Sequence, residues 1–251
     1  MAAIPVTTGL QLLLDARTIT GLINADKVAS WADQSGQGND AAQATDANRP
    51  TYRTNIFGTN PAVRFGAVNE HLHGLFSAWG TAAGQTMLLS INNTPATQTA
   101  NGRFFSTANT GFDSDNNMLY ANLTSGDVFV YNNNIGVKGI TPPTIYTSGL
   151  NRPGVIGFAV DGTTMTYVAN GGFQELTHAA GIPTAPTKYN FGHINAGTIM
   201  STYGALFDCH FVALYNCKLS LTDVNRVVTW MGTEIGTHVA SSGGVIVIED
   251  D

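Results

Sequence analysis

The sequence predicts an all-β protein, an antiparallel jelly-roll β-sandwich of two sheets with one C-terminal helix. Three observations predict it. Short runs of β-formers recur along the chain with turn residues between them. Charged residues make up only 11% of the 251, against about 25% in an average soluble protein. The surface is therefore built from Thr, Asn, Ser, Gln and Gly, which suit strands and turns better than solvated helices. Finally, one helical periodicity appears, near the end of the chain. An apolar fraction of 43% supports a substantial core, and the length fits one large sandwich.

Strands are expected over residues 10–14, 28–31, 61–65, 87–91, 103–106, 118–122, 127–131, 154–160, 165–169, 188–192 and 205–215. GT, NN, NNN, DG, NGG and PP signals separate them. Asp161-Gly162, between GVIGFAV and TTMTYVANG, marks a hairpin. Such regular short strands indicate a sandwich rather than a parallel α/β sheet. The stretch WADQSGQGNDAAQAT, residues 31–45, reads as a sharp corner. Gly36 and Gly38 permit positive φ. Asp33, Ser35, Asn39 and Asp40 can bond the local backbone, and Trp31 packs beneath. A calcium or ligand role for Asp33 or Asp40 is the alternative.

The helix is expected over residues 220–236, SLTDVNRVVTWMGTEIG. Ser220 and Asp223 resemble a capping box with Asp in place of Glu. Val224, Val227, Val228, Met231 and Ile235 form one apolar stripe, and Gly236 can close the end in a left-handed conformation. Residues 1–240 then form one domain. Residues 241–251 are a Ser/Gly link followed by a short terminal strand, GVIVIEDD. Val245, Ile246, Val247 and Ile248 are consecutive apolar β-formers, which aggregate if left in water. They can fold back on an edge of their own sheet or add to a neighbouring subunit. The flexible link favours the neighbour and makes these four the candidate assembly residues.

Several classes are excluded. A net charge of −6 with only 11 Lys and Arg gives no basic footprint, so nucleic acid is not an expected partner. No window approaches 18 apolar residues, so no membrane span is expected. The N-terminal MAAIPVTTGLQLLLDAR lacks a basic segment before its apolar run and does not read as a signal peptide. If Cys209 and Cys217 lie on one strand, they stand about 26 Å apart, beyond the roughly 7 Å of a disulfide. Both are expected to be free thiols.

The order of LLLDA, VASWADQSGQGNDAAQAT, NRPTY, NPAVRF, GVIGFAVDGTTMTYVANG, KYNFGHI and FDCHFVALYNCKLSLTDVNRVVTWM resembles the concanavalin A-like (laminin-G-like) lectin/glucanase superfamily over roughly residues 10–236. That resemblance implies the two-sheet jelly roll, often with one concave face. The β-glucanases of the family carry Glu-x-Asp-x-Glu or Glu-x-Asp-x-x-Glu on one strand, which sets acid and nucleophile on the cleft face. Here the glutamates are Glu70, Glu175, Glu234 and Glu249, with no two close in sequence. No enzymatic activity is therefore expected, and a site built from separate aspartates remains the alternative. Legume-type lectins carry an acidic calcium loop. GFDSDNN places Asp113, Asp115 and Asn117 at alternate positions, which makes them the calcium candidates. Met118 and Thr124 break the EF-hand pattern, and a polar turn is the default. No other cofactor is indicated.

Two further pairs share a face if extended: His71 and His73, beside Glu70, and Asp208 and His210. Neither brings the third ligand or the nucleophile that metal binding or hydrolysis needs, so structural hydrogen bonds are expected. Sugar rings stack on exposed aromatics. The candidates are Tyr120, Phe129, Tyr131, Tyr167, Tyr189 and Tyr203, with Tyr120, Tyr131 and Tyr203 carried forward as ligand-binding residues. The functional expectation is a surface protein of a bacteriophage virion, in the capsid decoration or the tail. It would be made in the host cytoplasm, assemble with other virion subunits as a homo-oligomer and engage glycans. A secreted or cell-surface bacterial carbohydrate-binding module and a glycan-degrading enzyme are the alternatives.

Overall fold

The computed structural model describes residues 3–76, 84–93, 102–108, 115–122, 127–132, 136–140, 153–169, 172–177, 186–192, 204–236 and 245–248. In chain order the strands are β1 (Leu10–Asp15), β2 (Ser30–Trp31), β3 (Ala41–Ala42), β4 (Thr51–Phe57), β5 (Asn60–Phe65), β6 (Leu72–Leu75), β7 (Gln85–Asn93), β8 (Gly102–Ala108), β9 (Asp115–Asn122), β10 (Asp127–Asn132) and β11 (Gly136–Ile140). There follow β12 (Pro153–Val160), β13 (Thr164–Ala169), β14 (Gly172–Thr177), β15 (Lys188–Phe191), β16 (Phe207–Tyr215), the helix α1 (Leu221–Glu234) and β17 (Val245–Ile248). For β9, β10, β11 and β17 the description is of the backbone.

Two sheets form the sandwich. The first runs β17-β14-β13-β12-β7-β16-β5-β4, with β1 also on β16; the second runs β11-β10-β9-β8-β15-β6-β3-β2. The pairings are antiparallel except β14 with β17. β16 is central because FDCHFVALY is apolar apart from Asp208 and His210, and all nine of its residues are buried. Its first half pairs β5 and its second half β1, while β7 runs along the other side. A register shift between Cys209 and Phe211 divides the halves.

Alternation sorts the apolar residues into two layers. Leu12, Leu14, Met87, Leu89, Val212 and Leu214 face the second sheet. Leu13, Leu88, Phe211, Ala213 and Tyr215 face the other way, under the helix stripe Val224, Val227, Val228 and Met231. The helix is thus a third layer on the first sheet. Ser220 caps it by accepting from the Asp223 N–H at 3.1 Å. Gly236 closes it at φ +68°.

The hairpin at Asp161-Gly162 joins β12 to β13. Its turn depends on the aspartate side chain, whose Oδ1 accepts from the N–H groups of Thr163 and Thr164 at 2.9 and 2.8 Å. The expected strand at 28–31 shortens to Ser30–Trp31, because the Val28 N–H bonds the Pro50 carbonyl outside any ladder. Cys209 and Cys217 are free, the first buried and the second half-buried. Burial raises the pKa of both thiols. Of the two destinations for the terminal strand, the structure has its own sheet: Phe173 to Leu176 of β14 pair Val245 to Ile248 in parallel.

Candidate functional site

The corner after Trp31 is built around one carboxylate. Asp33 Oδ1 accepts from the Leu13 and Ser35 N–H groups at 2.9 and 2.8 Å. Its Oδ2 accepts from the Ser35 hydroxyl at 2.7 Å and the Asn39 N–H at 3.0 Å. A carboxylate offers about four acceptor sites, so protein donors occupy Asp33 fully. Asp40 accepts from the Asp33 N–H at 2.8 Å, and the Asn39 amide donates to the Gln11 carbonyl at 2.7 Å. Gly36 and Gly38 take φ of +85° and +73°. Trp31 lies fully buried beneath. The Tyr189 hydroxyl donates to the Asn39 carbonyl at 2.6 Å, tying the corner to β15. A Cβ at Gly74 would stand 2.3 Å from that hydroxyl oxygen, so only glycine allows the tie. The corner is architecture and leaves Asp33 nothing to offer calcium.

Beside the corner is a groove. The chain leaves β1 through a 3-10 turn (Ala16–Thr18), loops out, and returns as β2. The loop is pinned to β4: the Ala25 N–H bonds the Tyr52 carbonyl and the Tyr52 N–H bonds the Asp26 carbonyl, both at 2.8 Å. Asp26 Oδ2 accepts from the Ile23 N–H at 2.8 Å. Ala25 sits at φ +78°, strained for a residue with a Cβ. Between this loop and the return strand lies a groove of about 280 Å³, lined by Thr18, Ile19, Thr20 and Leu22 of the loop and by Ala29, Ser30 and Ala32 of the returning chain. Lys27 completes its lining. The Lys27 ammonium donates to the Arg49 carbonyl at 2.9 Å and pairs Glu70 at 3.0 Å. Ile23, next to the groove in sequence, is 73% exposed.

The histidine pairs are structural. His71 Nδ1 lies 2.9 Å from the Asn69 carbonyl, which can only accept, and its Nε2 is 2.6 Å from the Gln43 amide nitrogen. Gln43 Oε1 is already held by the Thr45 N–H at 2.9 Å, which fixes the amide and makes His71 a neutral Nδ1–H tautomer. Burial lowers the pKa of His71 and of His73. Their rings stand 5.9 Å apart. Glu70, adjacent to them in sequence, is committed to Lys27 and to the Gly66 N–H at 2.6 Å. Asp208 is held by Arg64 through two bonds of 2.7 and 2.8 Å. His210 instead donates from Nδ1 to the Pro61 carbonyl at 2.6 Å, so the two do not form a pair. Burial lowers the His210 pKa to about 4. On the same face Arg17 chelates Asp15, bonds Glu234 of α1, and lies 4.7 Å above the Phe211 ring, clamping the helix end to the sheet.

Of the residues singled out in the sequence, Asp115, Asn117 and Tyr120 fall on β9 and Tyr131 on β10, as backbone. Asp113 and Tyr203 lie outside the described residues. Tyr167 and Tyr189 are core and cannot stack on a sugar. Among the described residues no group of three or more His, Cys, Asp or Glu could hold a metal ion. No described helix is long and apolar enough to cross a membrane. The groove was not anticipated; its only sequence signal is TITGLINADK, a run without strand or helix period.

No family model and no curated protein matches the chain. Solved structures do. Trypanosoma rangeli sialidase in complex with sialic acid matches at a TM-score of 0.57 and 13% identity, over 94% of this chain and 35% of that one. The botulinum neurotoxin serotype D binding domain matches at 0.60 and 11%, over 90% and 52%. The same toxin domain in complex with N-acetylneuraminic acid matches equally. The chain therefore spans about a third to a half of the length of these neighbours. Sialidases among them overturn the expectation that the chain is not an enzyme. That expectation rested on the missing clustered glutamates, which test for one glycosidase chemistry and no other. At such identities the likeness speaks for the fold alone, a β-sandwich of two sheets.

Proposed function

We propose that the chain is a glycan-binding module on the surface of a bacteriophage virion, assembled there with other copies and other virion subunits. The observation that carries the glycan part is the sandwich itself, whose structural neighbours include a toxin domain in complex with N-acetylneuraminic acid. The virion part is supported by the low-charge surface rich in Thr, Asn and Gly and by a terminal strand at a sheet edge, where a further strand can add. A glycan array probed with and without calcium tests the first part. Saturable binding to a defined glycan group is expected; a blank array in both conditions overturns it. Immunogold labelling of native particles tests the second, with label on the particle surface as the expected result.

A second reading has its own observation. The neighbours carry this fold as 35% and 52% of longer chains, which favours a carbohydrate-binding module of a larger secreted or cell-surface bacterial protein. Label on cells and none on particles would decide for it.

A further inference from the structure

The groove between residues 18–22 and the return strand has properties that the fold alone does not require. Half of its lining is aliphatic, with Ile19 and Leu22, which pack partly on the core, and Ala29 and Ala32; the other half is polar, with Thr18, Thr20, Lys27 and Ser30. Thr20 and Ser30 are exposed, each with a hydroxyl able both to donate and to accept. Thr18 spends its proton on the Asp15 carbonyl at 2.8 Å and keeps lone pairs. Lys27 reaches the groove with its charge already matched by Glu70. The loop that forms one wall is held by four backbone and side-chain bonds and includes Ala25 at φ +78°. Strain of this kind persists only where the surroundings over-determine it, and it clusters at ligand-binding segments.

We propose that this groove binds one neutral pyranose unit of a glycan. A lining that is half aliphatic and half polar matches a sugar ring, whose C–H groups suit the first half and whose hydroxyl groups suit the second. The volume of about 280 Å³ falls just below the roughly 300–1,000 Å³ of sites for drug-sized ligands, so it takes a single ring and not an extended chain. The matched Lys27–Glu70 pair gives a carboxylate no net charge to meet, so an acidic sugar gains nothing over a neutral one. Preorganisation by the pinned loop means the site forms without paying to order it.

The inference rests on the glycan-binding reading, and the test separates the two. Methyl glycosides of glucose, galactose, N-acetylglucosamine and N-acetylneuraminic acid are titrated into the nitrogen-15-labelled protein. Saturable amide shifts confined to residues 18–32 are expected, with at least one neutral glycoside binding as tightly as the acidic one or tighter. Ser30→Trp and Thr20→Trp each put an indole into the lining, and each should weaken binding at least tenfold. Thr229→Trp, exposed on α1, should not change it. Two blocking variants with unchanged spectra elsewhere guard against loss of folding. If a glycoside binds but the shifts lie elsewhere and both blocked variants bind normally, the groove is wrong and the glycan reading stands. If the acidic glycoside alone binds the groove, the assignment to a neutral sugar fails. If no glycoside shifts any amide while the array is also blank, both fall.

Discussion

Asp33 is the hub of the corner, because it accepts from Leu13 and Ser35 on one oxygen and from Ser35 and Asn39 on the other. Asp33→Ala leaves those donors without a partner, at about 1–3 kcal/mol for each that stays buried. A loss of about 2–4 kcal/mol in urea denaturation is expected; a loss under 1 kcal/mol would show that water replaces the carboxylate. This residue was legible because Asp, Ser, Gly and Asn announce a turn by chemistry. Ala25 was not, since nothing in an alanine reports positive φ. Ala25→Gly removes the Cβ clash and should raise stability by about 0.5–1 kcal/mol, read as a higher melting temperature. His210 was legible as a buried polar residue but not in its partner, because the register shift at Cys209/Phe211 breaks the alternation that would have paired it with Asp208. Its Nδ1–H faces the Pro61 carbonyl, and among the described residues its Nε2 meets no donor. Protonation there would bury a charge near Arg17. The folded pKa of about 4 lies below the unfolded 6.5, so the unfolded chain binds more protons between them. Stability is full above pH 6.5 and falls as pH drops toward 4, by roughly 3 kcal/mol at about 1.4 kcal/mol per pH unit. His71 and His73 act in the same direction. His210→Leu should flatten the stability profile in that window, and an unchanged slope would exclude His210 as its source.

Among the elements, the clearest in sequence were a long apolar-rich run and a helical stripe. FDCHFVALY became β16 and the Val-Val-Met stripe became α1. The capping box formed with a difference. Asp223 is one methylene shorter than Glu, and it accepts from the Ser220 hydroxyl at 2.9 Å while Ser220 caps the Asp223 N–H. Ser220→Ala should therefore cost about 1 kcal/mol, measurable as earlier loss of helical ellipticity. β4 was missed because Arg53, Thr54 and Asn55 interrupt its apolar pattern, and Asn55 at φ +56° kinks it where the pairing with β5 shifts. β6 was missed because EHLHG is short and mixes polar with apolar residues, without the run of β-formers that marks a strand. β14, GFQELT, pairs β13 on one side and β17 on the other. Deleting residues 243–251 strips that second side and exposes the β14 edge. A modest fall in melting temperature is expected together with greater aggregation. An unchanged melting temperature would mean that β17 adds nothing to the sheet it lies on.

At the scale of the whole molecule, the first sheet is shared by two cores. Leu88 faces α1 and Leu89 faces the second sheet, one residue apart on β7; Ala213 and Leu214 divide in the same way on β16. A strand cannot release one face and keep the other, because the same backbone ladder positions both. The two layers should then unfold as one cooperative unit. Leu89→Ala and Val228→Ala remove fully buried groups from different layers. The leucine should cost about 2–5 kcal/mol and the valine somewhat less. At roughly 2–4 °C per kcal/mol for a chain of this size, each should lower the same calorimetric transition without splitting it. Leu214→Asp, which buries an unpaired charge between the sheets, should lower that transition further still. Two resolved transitions, one moved by Val228→Ala and the other by Leu89→Ala, would show that the helix layer folds apart from the sandwich. The groove would then belong to the sandwich alone, since its wall hangs from β4 and its floor packs on the core between the sheets.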